Sequence, residues 1–145
     1  MKFKIGKITF SRKNIVVIAE AGVNHLGDIN IAEKLIKEAS KAGANIIKFQ
    51  TYKAKNLTTK NAPRFWNWEG EEKKNGSQYD SYSKLDSFGL DEHIKIKKMC
   101  DKYNIEFMST PFDNPSAEFL NKLGINIFKV SSGDLENFHL LKNIV

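Results

Sequence analysis

The sequence predicts an α/β protein in which parallel strands alternate with helices, as in the N-terminal half of a TIM-type (β/α)8 barrel. Three observations carry this expectation. Four short apolar runs, Ile15–Glu20, Asn45–Gln50, Ile105–Thr110 and Ile125–Ser132, each end in polar residues suited to chemistry. Segments with apolar residues at helical spacing separate them, so the chain reads as repeated βα units. The series stops after a fourth strand and part of a fourth helix, whereas a closed eight-stranded barrel takes about 250 residues. Right-handed crossovers make successive strands parallel neighbours, and an open four-stranded parallel sheet would leave its edges bare. Half a barrel fits the count better, and the 145 residues are expected to be a partial chain.

Each element has its own justification. Residues 1–14 alternate weakly at Phe3, Ile5, Ile8 and Phe10 around Gly6, which predicts a small hairpin leading into the barrel half at 15–145. The first strand is expected at 15–20, followed by a loop with two glycines, Ala21–Gly27. A helix then starts near Asp28 or Asn30, where Asn30 and Glu33 have capping-box spacing. Ile31, Leu35, Ile36, Ala39 and Ala42 form its apolar face, and Gly43 suits the position just past its end. The second strand covers 45–50. Residues 52–89 form a long connection with Trp66, Trp68, Tyr79 and Tyr82, broken by Pro63, Gly70 and Gly76, with a short helix at 80–86. Connections of this length usually serve function. A helix at 91–103 carries Ile94, Met99, Cys100 and Tyr103 largely on one side, and the third strand, 105–110, ends at Pro111. Asn114 reads as an N-cap with Pro115 at the first helical position, and Phe119, Leu120 and Leu123 line a helix that Gly124 stops. The fourth strand is expected at 126–131 and a last helix from Glu136.

Composition removes several function classes. The 41% hydrophobic content suits a buried core, and no run approaches the roughly 18 apolar residues of a membrane span. Met1–Lys4 is basic, but no apolar stretch or small-residue cleavage site follows, so no signal peptide is read. A single cysteine, Cys100, excludes an internal disulfide and fits the cytoplasm; on the apolar side of its helix it reads as core filler rather than a reactive thiol. The net charge of +6 raises nucleic-acid binding, but the lysines are dispersed and the clusters Glu71–Lys74 and Lys95–Lys98 are short. They read as solvated helix faces, with an electropositive mouth for an anionic small molecule as the second reading. Trp66 and Trp68 read as packing over the barrel or at a subunit contact rather than as base-stacking residues.

Alternation in Asn45–Gln50 puts Ile46, Lys48 and Gln50 on one side of the strand and Ile47 and Phe49 on the other. The second side suits helices, which turns Lys48 and Gln50 toward the barrel axis. An ammonium there is costly unless an anion meets it, and Lys129 poses the same problem on the fourth strand. One such lysine alone more often snorkels outward from a strand margin. Two, beside Glu20, make better sense around a bound carboxylate and phosphate. In βα units the site lies beyond the carboxyl ends of the strands, so Glu20, Lys48, Gln50, Thr110, Lys129 and Ser132 would meet at one mouth. The turns Ser109–Phe112 and Ser131–Asp134 add hydroxyls and backbone N–H groups of the kind that cradle phosphate.

Four blocks, IAEAGVNHLGD at 18–28, IKFQT at 47–51, FMSTPFD at 107–113 and FKVSSGDLEN at 128–137, closely resemble the sialic acid (N-acetylneuraminate) synthase family, in the family's order and over about residues 15–145. The resemblance implies a (β/α)8 barrel that condenses phosphoenolpyruvate with an N-acetylated hexose such as N-acetylmannosamine, releasing phosphate and giving a nine-carbon 2-keto acid. It further implies a divalent metal, Mn2+ or Mg2+, a C-terminal antifreeze-like domain, and a homodimer in which a partner donates an arginine. By motif, Glu20 resembles the acid/base glutamate, Lys48 and Thr110 the holders of the substrate phosphate with Ser132 beside them, and Lys129 the lysine on its carboxylate. Gln50 resembles a contact to the sugar or enolpyruvate. Asp134 stands where relatives have glutamate or aspartate, and Asn24 and His25 fall in a turn that shapes the mouth. His25, His93 and His139 do not match the family's metal histidines, so the metal ligands are expected outside this chain, and these residues alone are expected to be inactive. The SSGDL stretch at 131–135 fits the sialic and legionaminic branches better than the pseudaminic one. A legionaminic or pseudaminic acid synthase is therefore the alternative enzyme, and a half-barrel that only binds a ligand or partner is the alternative of a different class.

Overall fold

The computed structural model describes residues 2–66, 76–125 and 127–144. Strands β1 (Lys2–Ile5) and β2 (Ile8–Ser11) form an antiparallel hairpin with Phe3 stacked on Phe10 at 4.8 Å. Strands β3 (Ile18–Gly22), β4 (Ile46–Thr51) and β5 (Glu106–Pro111) form a parallel sheet in that order. Helix α1 (Ile29–Lys41) connects β3 to β4. The long connection from β4 to β5 carries α2 (Ala54–Leu57), α3 (Gln78–Ser83) and α4 (Leu90–Lys102). Helices α5 (Asn114–Lys122) and α6 (Phe138–Ile144) follow β5. The hairpin meets the amino end of the sheet, where Lys7 N–H donates to the Glu106 carboxylate at 3.4 Å.

The helices cover one face of the sheet. Ile47 and Phe49 of β4 and Phe107 of β5 pack with Ala32 and Ile36 of α1, Ile96 and Cys100 of α4, and Leu120 of α5 in one buried cluster. Burial pushes the Cys100 thiol up to about 12, so it is inert core filler, as its place in the apolar pattern predicts. Three returns from helix to strand use one device. At the end of α1, Gly43 (φ 83°) donates to Ser40 O and Ala44 to Ala39 O, the paired bonds of a Schellman motif. Asn104 and Ile105 repeat it after α4, and Gly124 and Ile125 after α5.

Several boundaries differ from those expected. The first strand begins at Ile18 rather than Ile15, because the Val17 N–H is taken by the Asn45 side chain (2.9 Å) and Ile15 is exposed. The N-cap of α1 is Asp28, whose carboxylate accepts Asn30 N–H at 2.7 Å; Glu33, instead of closing a box with Asn30, accepts from Lys102 Nζ and Tyr103 OH, each at 2.9 Å. Helix α3 starts at Gln78 rather than 80, under a Ser77–Asp80 capping box. The fourth strand is reduced to a parallel bridge between Phe128 and Ser109, with Lys129 N–H on Ser109 O at 3.2 Å. A turn of 3-10 helix at Ser132–Asp134 then delays the last helix to Phe138. Asn126, Trp68, Gly70 and the cluster Glu71–Lys74 lie outside the described residues.

The cap of α5 is Asp113 rather than Asn114. Its Oδ1 accepts Ser116 N–H at 2.7 Å, while Oδ2 accepts Lys53 N–H (3.2 Å) and Asn56 Nδ2 (3.3 Å) from the β4–α2 connection. One carboxylate thus caps a helix and ties down the neighbouring loop. Asp113→Ala is expected to cost about 1–3 kcal/mol, the upper part of the N-cap range extended by the loop donors left unpaired. Thermal melts of the two proteins check this.

Candidate functional site

On the face away from the helices, register does the assembly. Glu20 pairs with Lys48 across β3 and β4, and Lys48 with Met108 and Gln50 with Thr110 across β4 and β5. Register partners in a parallel sheet share a face, so Glu20, Lys48, Gln50 and Thr110 stand together. Lys48 Nζ forms an ion pair with Glu20 Oε2, the lysine side chain 12% exposed and the glutamate 50%. A register shift separates Glu20 from Gly22, and Gly22 has φ 55°. A Cβ there would come within 3.3 Å of Glu20 Oε1 and 3.7 Å of Gln50 Nε2, so the bulged backbone closes against both side chains. Thr110 is 1% exposed, and its hydroxyl has no hydrogen-bond partner among the described residues.

The remaining candidates separate into neighbours and outliers. The Phe128–Ser109 bridge sets Lys129 level with Thr110, its side chain exposed. Among the described residues no hydrogen bond joins Ser132, Asp134 or Asn24 to the Lys48 cluster. Ser132 and Asn24 are exposed, and the half-buried Asp134 accepts from Asn137 Nδ2 at 3.1 Å. Ser109, expected to offer its hydroxyl at a phosphate-binding turn, instead points to the helix side and bonds Thr51 Oγ1 at 2.7 Å. Its alternation with Thr110 could have shown this, since the two adjacent hydroxyls of a strand cannot share a face. Trp66 packs on Tyr82 (5.9 Å), and Tyr82 on Tyr52 (5.7 Å).

His25 supports the mouth from beneath. It is 3% exposed, stacks on Phe88 at 4.0 Å, accepts Gly27 N–H on Nδ1 at 3.1 Å, and borders a small cleft with Gln50 and Tyr52. Burial, with help from nearby His93, lowers its pKa to about 4, and burial lowers that of His93 as well. Both imidazoles are therefore neutral in the fold at pH values where the unfolded chain already takes up protons. Stability is intact above about pH 6.5, the unfolded pKa, and is lost as pH falls toward 4. After solvent screening the loss is expected to be about 1–2 kcal/mol, and urea titrations at pH 7 and 4.5 check it.

Among the described residues no group of three His, Cys, Asp or Glu side chains is arranged to hold a metal ion, and no helix is long and apolar enough to cross a membrane. Comparison with known proteins adds the following. The N,N'-diacetyllegionaminic acid synthase of Campylobacter jejuni is 42% identical over 132 residues, covering 91% of this chain and 39% of that protein. The N-acetylneuraminate-9-phosphate synthase of Drosophila melanogaster is 32% identical over 136 residues, covering 89% of this chain and 34% of its own length. This chain thus spans under two fifths of these relatives. The crystal structure of the N-acetylneuraminic acid (sialic acid) synthetase of Leptospira borgpetersenii, in complex with citrate, superposes with a TM-score of 0.79 at 36% identity, covering 99% of this chain and 45% of that one. Residues 35–145 match the NeuB family, and the chain belongs to it.

Proposed function

We propose that the chain is the N-terminal half of a (β/α)8 barrel synthase that joins phosphoenolpyruvate to an N-acetylated hexose, releasing phosphate and giving a nonulosonic acid. The supporting observation is the face that sets a mostly buried Lys48, paired with half-exposed Glu20, beside Gln50 and the buried, unpartnered Thr110 hydroxyl. A buried hydroxyl left unpaired costs about 1–3 kcal/mol, which an anionic oxygen would recover. Lys48 and Thr110, with Ser132, take the phosphate, and Lys129 takes the carboxylate. The phosphate competes with Glu20 for Lys48, which frees that carboxylate for the reacting carbons. The enol carbon attacks the sugar aldehyde and the adjacent carbon becomes cationic. Water adds there as Glu20 takes one of its protons and passes it to the new alkoxide. The C–O bond to phosphate then breaks, the remaining hydroxyl proton leaves with the phosphate, and the 2-keto group forms. The implied divalent metal, Mn2+ or Mg2+, finds no ligand set among the described residues, and its ligands are proposed to lie on later strands.

The sugar is the second question. The 42% identity to a diacetyllegionaminic acid synthase favours a diacetylated hexose over N-acetylmannosamine as the alternative substrate. The full chain that the gene encodes, proposed to be a cytoplasmic homodimer, is to be incubated with phosphoenolpyruvate, Mn2+ and each sugar in turn. Phosphate release and product mass identify the reaction; no phosphate from either sugar would sink the synthase reading.

A further inference from the structure

A buried chain of hydrogen bonds runs behind the face that carries Gln50 and Thr110. His93 Nδ1 lies 2.8 Å from Gly89 O, its Nε2 3.1 Å from Thr51 Oγ1, and Thr51 Oγ1 2.7 Å from Ser109 Oγ. All three side chains are buried. A carbonyl only accepts, so Nδ1 carries the imidazole proton and Nε2 accepts from Thr51; the Thr51 oxygen then accepts from Ser109. The Gly89 end therefore fixes the direction of every bond. The chain continues into the backbone, where Ser109 O accepts Lys129 N–H and Thr51 O accepts Phe112 N–H, both at 3.2 Å.

We infer that His93 is a positioning residue that locks the carboxyl ends of β4 and β5 from the helix side; its catalytic consequence rests on the proposed synthase reading. Gln50 and Thr51 share a peptide unit and point to opposite faces, as do Ser109 and Thr110. A shift of either hydroxyl residue therefore moves a residue of the site. The ladder between β4 and β5 ends at this level, where Phe112 N–H on Thr51 O is a bond just beyond the paired strands. The side-chain chain adds a cross-strand bond at that end. Its base is rigid: α4 is anchored in the core by Ile96 and Cys100. Displacements of about 1 Å at a reacting centre cost on the order of 100-fold in rate, so a lock of this kind carries kinetic weight.

The test uses the full chain with Thr51→Val, which keeps the shape and removes the hydroxyl, and with His93→Phe and His93→Gln. Amide hydrogen exchange at Phe112 and Lys129 is expected to accelerate at least tenfold in Thr51→Val and His93→Phe, with exchange in the core of α1 unchanged. KM for phosphoenolpyruvate should rise about tenfold in the same two variants. His93→Gln, whose amide both accepts and donates, should recover most of both effects. Unchanged exchange at the two amides overturns the lock. So does a lowered melting point with wild-type KM, which marks His93 as a packing residue. If the unmutated protein releases no phosphate but the exchange pattern appears, the lock stands and the synthase reading fails.

Discussion

Lys48→Ala in the full chain is expected to lower kcat/KM for phosphoenolpyruvate by about 10²–10³-fold, the ~2.7–4 kcal/mol typical of removing one preorganised donor from a water-poor site. The lysine is largely buried on the strand face that holds Gln50 and is level with Met108. Lys129 is exposed and one strand further along. The thermal midpoint should move little. Glu20, the partner left behind, is half exposed and regains water, and the change removes an ammonium that is costly to bury. Steady-state kinetics beside a thermal melt separate the two effects. Lys129→Ala is the companion, and wild-type kcat/KM in both variants would remove the site assignment.

The parts of the fold that were legible in the sequence are those governed by local periodicity. Strand β4 was readable because Ile47 and Phe49 alternate with Lys48 and Gln50, and the structure buries the first pair under the helices while setting the second pair on the other face. Gly43 and Gly124 were readable as helix ends because positive φ suits glycine there. What was not legible depended on partners distant in sequence. Asp113 and Asn114 are equally good caps by type; the choice goes to Asp113, whose second oxygen reaches Lys53 and Asn56 from another connection. Glu33 has capping-box spacing from Asn30, yet Lys102 at the end of α4 and Tyr103 just past it take its carboxylate instead.

The candidate site divides along the same line. Glu20, Lys48, Gln50 and Thr110 come together because strand register follows from the βα repeat, and the repeat was visible. Ser132, Asp134 and Asn24 lie on turns, where no periodicity fixes direction, and the structure does not join them to the cluster by hydrogen bonds. The Thr51–Ser109–His93 chain was missed although Thr51 and Ser109 were in plain view. Two hydroxyls and an imidazole that stand 42 and 58 residues apart give no local signal, and only folding shows that they meet.

Phe49→Ala is expected to do the reverse of Lys48→Ala, taking stability and sparing chemistry. Phe49 is 1% exposed, centred between Phe107 (ring centroids at 5.8 Å) and His25 (6.0 Å), within the cluster that joins α1, α4 and α5 to the sheet. Removing its ring leaves a cavity that helices anchored by Ile36, Ile96 and Leu120 cannot close, and the cost is about 3–5 kcal/mol. Domains of this size are stable by about 5–15 kcal/mol, so roughly a fifth or more of that is lost. The urea midpoint should fall with its slope unchanged, while kcat/KM of the protein still folded stays within a few-fold of wild type. Lys48 and Phe49 are consecutive residues of one strand, facing opposite ways. If Phe49→Ala left the midpoint in place, the helix-facing side of β4 would be misassigned, and with it the face on which Lys48 stands.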